Sequence, residues 1–164
     1  MATHLKNLSD FSHTSVPSAE PFRFGIVVAS WNAEVTGSLY KGAYDSLIKH
    51  GAIEKNIISV EVAGSFELIS GADLMMSKKD LDAIICLGCV IQGETRHFDF
   101  ICNAVANGIA QVGIKYTKPV IFGVLTTDNQ QQAVDRAGGK HGNKGDEAAI
   151  TAIKMADLSH SLSE

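Results

Sequence analysis

The nine residues Ala83 to Ile91, AIICLGCVI, carry no charge and are apolar at odd and even positions alike. Side chains of a strand alternate between its two faces, so an extended run of this kind has to be covered on both. Two-sided burial is the condition of a parallel sheet held between layers of helices. Phe24 to Ala29 (FGIVVA) and Val120 to Leu125 read as strands in the same way, and Ile57 to Val62 is a further β-rich stretch. Helical patterns separate them. Val35 to His50 has Leu39, Ala43 and Leu47 on one stripe and Gly51 as its stop. Phe66 to Lys78 has Leu68, Ala72 and Met75 on one face, and His97 to Tyr116 spaces Phe98, Ile101, Val105, Ile109 and Val112 as a helix stripe. A short helix over Gln130 to Ala137, a glycine-rich loop from Gly138 to Gly145 and a last helix ending near Leu158 follow. With right-handed crossovers this pattern predicts an α/β three-layer sandwich, a four-stranded parallel sheet flanked by helices on both faces.

At 164 residues the chain has the length of a single domain, and a domain of that size buries roughly 70% of its unfolded surface. Residues Met1 to Pro21 are polar, with Pro17 and Pro21 among them, and read as a flexible N-terminal arm apart from a single domain over residues 22–164. A formal charge of −4 and the lack of a Lys/Arg cluster argue against a nucleic-acid surface. The longest apolar run is too short to span a bilayer, and no apolar signal core stands at the N-terminus, which predicts a cytoplasmic protein without a membrane partner. Cys86 and Cys89 match a redox or metal spacing, but three apart on a strand they point to opposite faces. They read as buried thiols. No His, Cys, Asp or Glu grouping has metal-ligand spacing, so no metal is expected.

Ligands of open α/β sheets bind beyond the carboxyl ends of the strands. Ser30-Trp31-Asn32, Ala63 to Glu67, Gly88 to His97 and the residues from Thr126 onward therefore converge on one edge. Trp31 reads either as a platform for a flat heterocycle or as a packing anchor. Ser65 is a good N-cap, so Gly64-Ser65-Phe66-Glu67 is either a well-made helix start or a polar binding turn. Gly93-Glu94-Thr95 opens the helix that begins at His97. A helix start favours anions, and histidine is the side-chain type suited to moving protons near neutral pH. Arg136, just before the glycine-rich loop, and Lys140 and Lys144 within it make a basic stretch that either holds a phosphate or is a solvated turn; it does not fit a Walker A pattern.

On the blocks SWN (30–32), GSFE (64–67), GCVIQGETRHFD (88–99) and GVLTTDNQQQAVDRAGGKHGNKGDEAA (123–149), the chain resembles the lumazine synthase family from Phe22 to Leu158. The resemblance implies a flavodoxin-like strand order and no cofactor. It also implies a reaction: 5-amino-6-(D-ribitylamino)uracil condenses with 3,4-dihydroxy-2-butanone 4-phosphate to 6,7-dimethyl-8-ribityllumazine, releasing phosphate and water. His97 then stands at the proton-transfer position. Trp31, Asn32, Gly64, Ser65, Phe66, Glu67, Val90 and Ile91 match the pyrimidine and ribityl site, and Gly93, Glu94 and Thr95 match the phosphate turn. Phe122, Arg136 and Lys144 match positions supplied by a neighbouring subunit, Arg136 as a phosphate ligand. A pentamer follows, with riboflavin synthase as a candidate partner. The compact AGGKHGNKG run resembles members that close into an icosahedral shell of twelve pentamers. Ala63, Ile69 and Gln92 depart from the residues frequent there, two prolines and an arginine. A non-catalytic flavin- or lumazine-binding shell and a riboflavin synthase of archaeal type are the competing readings on the same fold.

Overall fold

The computed structural model describes residues 7–11 and 15–163. Four strands, β1 (Phe24–Ala29), β2 (Ile57–Val62), β3 (Ala83–Ile91) and β4 (Val120–Thr127), form one parallel sheet in the order β2-β1-β3-β4. Parallel neighbours need crossovers, and α1 (Ala33–Lys49), α2 (Leu68–Lys78) and α3 (His97–Tyr116) supply them. After β4 come α4 (Gln130–Asp135), a small antiparallel hairpin of β5 (Ala137–Gly139) and β6 (Gly142–Asn143), and α5 (Lys144–Ser161). Strand alternation sorts the core into two halves. Phe24, Ile26, Ile85, Leu87 and Cys89 pack with α1, α4 and α5 on one face of the sheet. Val27, Ala29, Ile84 and Cys86 pack with α2 and α3 on the other. The three-layer α/β sandwich is therefore as expected, and Cys86 and Cys89 do lie on opposite faces. Among the described residues no helix is long and apolar enough to cross a membrane.

Several boundaries differ from the sequence reading, each for a local reason. The segment before α2 is a turn of i→i−3 bonds, with Glu67, Leu68 and Ile69 donating to Gly64, Ser65 and Phe66, so the helix starts at Leu68. β4 continues to Thr127 because Thr126 and Thr127 stay paired with Val90 and Ile91. The short helix stops at Asp135, Ala137 already pairs in β5, and the expected loop from Gly138 to Gly145 holds the rest of the β5–β6 hairpin and the first residues of α5, which runs on to Ser161. Strands of three and two residues are too short to show a period.

Parts of the segment set apart as an arm pack on the core; residues 1–6 and 12–14 lie outside the described residues. Ala19 is fully buried and its N–H donates to the His50 carbonyl at 2.9 Å. Leu8 is buried, its N–H donates to the His141 carbonyl at 2.8 Å, and the Asn143 N–H donates to Ser9 Oγ at 2.9 Å. Gly142, at φ 82°, makes this possible: a Cβ there would fall 2.8 Å from the Leu8 nitrogen.

The strand order places the site. From β1 the chain moves outward to β2, then returns to β3 on the far side of β1. Consequently α1 leaves β1 toward one face while α3 leaves β3 toward the other. The diverging connections leave a crevice at the carboxyl ends.

Candidate active site

A cavity of about 290 Å³ occupies that crevice. β1 delivers Trp31 and Asn32 to it, and the β2–α2 turn delivers Gly64, Ser65, Phe66 and Glu67. The end of β3 contributes Cys89, Val90 and Ile91, and α3 contributes His97 and Ile101. Segments that are far apart in sequence thus meet on one wall, as the sheet edge required.

Trp31 continues the β1–β2 ladder, its N–H donating to the Ala63 carbonyl at 3.1 Å. Its side chain is 72% exposed, which removes the packing-anchor reading within this chain. Phe66 is 50% exposed on the opposite turn, so two aromatic side chains stand open at the cavity. Such surfaces suit a flat ring. Asn32 takes a left-handed conformation, φ 61° and ψ 46°, and its Nδ2 donates to the Cys89 carbonyl at 3.0 Å. Ser65 is buried and does not cap α2; its hydroxyl donates to the same Cys89 carbonyl at 3.5 Å. A serine before a helix usually caps it, but here the turn puts Glu67 at the cap position.

His97 is the first residue of α3 and is exposed on the cavity wall. Its N–H donates to Thr95 Oγ1 at 3.3 Å, so the threonine ties the turn to the helix start. The Gln92 side chain folds over that turn, donating to the Gly93 carbonyl at 2.8 Å. Gly93, Glu94 and Thr95 are exposed beside the cavity wall rather than part of it. Burial pushes the Cys89 thiol up to about 11, so near neutral pH it is an uncharged apolar wall and not a nucleophile. Cys89 and Ile101 also line the cavity, although the sequence marks them only as a buried thiol and a helix-stripe residue. Ile101 was findable, since it lies four residues beyond His97 and hence on the same helix face.

Phe122, Arg136 and Lys144 are not among the residues lining this cavity. Phe122 is half-buried in β4 against the α2–α3 side of the core. Arg136 caps the end of α4, Nη1 donating to the Gln132 carbonyl at 3.1 Å, and Lys144 begins α5 with its Nζ 2.6 Å from Glu147 Oε1. Both flank the β5–β6 hairpin, which the Asp135–Lys140 ion pair (2.9 Å) braces. Gln131 first, and then Lys140, hold the Asp135 carboxyl below the usual carboxylate range.

Fold and site together define a doubly wound α/β protein with an open, aromatic-rimmed pocket and a histidine at a helix start. The family model described as 6,7-dimethyl-8-ribityllumazine synthase matches residues 21–160. A relative from Cytophaga hutchinsonii carrying that name is 63% identical over 155 residues, covering 94% of this chain and 97% of the relative. Relatives of the same name from Phocaeicola vulgatus (53% identical; 99% of this chain, 96% of the relative) and Flavobacterium johnsoniae (54%; 95% and 82%) agree. The chain belongs to the 6,7-dimethyl-8-ribityllumazine synthase family.

Proposed function

We propose that the chain forms 6,7-dimethyl-8-ribityllumazine from 5-amino-6-(D-ribitylamino)uracil and 3,4-dihydroxy-2-butanone 4-phosphate. One observation carries the reading: in a member of this family, a single cavity collects Trp31, Ser65, Glu67, Val90, Ile91 and His97. The pyrimidine stacks on Trp31, the ends of β3 meet its polar edge with backbone groups, and Ser65 and Glu67 take the ribityl hydroxyls. The amine attacks the butanone carbonyl and water leaves as the Schiff base forms. Phosphate is then eliminated, and ring closure with loss of water completes the lumazine. His97 relays protons among these steps, while orientation of two reactive substrates supplies much of the rate.

The phosphate goes to the Gly93-Glu94-Thr95 turn together with Arg136. Because Phe122, Arg136 and Lys144 do not line the cavity of their own chain, a neighbouring copy is the natural source of these groups. This supports a ring of five copies, with a shell of twelve rings as the larger assembly, acting in the cytoplasm and passing its product to riboflavin synthase.

Incubating purified protein with both substrates and following lumazine absorbance and fluorescence tests the activity. Product that depends on both substrates is expected. Tight lumazine binding without turnover would assign the non-catalytic shell instead, and consumption of two lumazines would assign a riboflavin synthase.

A further inference from the structure

Asn32 is the non-glycine residue that lines the cavity with a left-handed backbone, at φ 61°. It is also the cap position of α1, where asparagine normally turns its side chain back onto the helix amides. Here the side chain makes no capping bond and spends its Nδ2 on the Cys89 carbonyl, 57 residues away, at 3.0 Å. That carbonyl receives Ser65 Oγ as well, at 3.5 Å. The Ser65 turn approaches β3 closely because position 88 has no side chain; a Cβ on Gly88 would lie 2.7 Å from Ser65 Oγ. One peptide oxygen at the end of β3 thereby joins the turns that follow β1 and β2.

We propose that Asn32 is a positioning residue, whose amide, pinned to the Cys89 carbonyl on a left-handed turn, fixes the adjacent Trp31 indole over the cavity. Trp31 needs such help. It is largely exposed, so packing within the chain does not hold it, and its backbone is tied on one side by the bond to Ala63. Asparagine answers both demands: it tolerates the left-handed region better than most side chains, and its NH2 donates where aspartate has only acceptors.

Trp31 is the sole tryptophan, so its fluorescence anisotropy decay reports directly on the indole. Asn32→Gly keeps the left-handed turn and removes the pin. Asn32→Asp keeps size and shape but sets a carboxylate against the carbonyl, and provides a second test should either variant fold poorly. In ligand-free full-length protein, both variants are expected to raise the fast, large-amplitude component of Trp31 motion at least twofold. With substrates, KM for the aminouracil should rise about tenfold. That KM change rests on the function proposed above; the anisotropy does not, so failure of that function and failure of the pin are distinguishable. Unchanged Trp31 motion in both variants overturns the proposal, and a raised KM alongside it would make Asn32 a direct ligand contact only.

Discussion

His97 combines exposure on the cavity wall with a fixed origin, since the first residue of a twenty-residue helix cannot wander far from the strand that precedes it. Replacing it with alanine should slow turnover about 10²-fold, the low end for a proton-transfer residue, because both substrates react readily once aligned. KM for the aminouracil should hardly change, and steady-state lumazine fluorescence measures both; an undiminished kcat would take His97 out of the chemistry. Much of this wall was legible in the sequence. A strand that is apolar on both faces, followed by a polar turn and a helical stripe, can only place residues 90 to 97 at the sheet edge. The Asn32–Cys89 bond was not legible, because a left-handed backbone and a partner 57 residues distant leave no mark on local periodicity.

Helix faces divide buried from exposed leucines sharply, and stability should follow that division. Leu39 on α1 is 0% exposed in the core shared with α5, whereas Leu74 on α2 is 60% exposed. Leu39→Ala should cost about 2–5 kcal/mol in denaturant unfolding, with Leu74→Ala far below it. The Asp135–Lys140 pair braces the hairpin between α4 and α5 and gives a pH signature. Its carboxyl lies below the ordinary value of 3.8 when folded, so its contribution is fully present above that value and vanishes as pH falls through the lowered one. Asp135→Asn should therefore be less stable than the parent at pH 7, the gap closing only below the ordinary carboxylate value, as thermal melts from neutral pH down to about pH 2 would show. The long elements were readable because burial repeats along them. The hairpin and the docking of Leu8 and Ala19 were not, since two-residue strands and widely spaced apolar residues carry no period.

At the scale of the molecule, the single chain presents an open pocket and keeps Arg136 and Lys144 away from its walls. The Trp31 indole and the Phe66 ring stand exposed at its mouth. If the neighbour supplies Arg136, each site is assembled from His97 of one copy and Arg136 of the next. The variants His97→Ala and Arg136→Ala should each be nearly inactive alone. Unfolded together at equal amounts and refolded into mixed rings, they should regain about a quarter of parental activity. Half the sites have an intact His97, and half of those face an intact Arg136. Sedimentation of the refolded mixture checks that rings have formed. Activity no greater than the sum of the separate variants, in rings shown to be mixed, would place Arg136 in the site of its own chain and detach the chemistry from assembly.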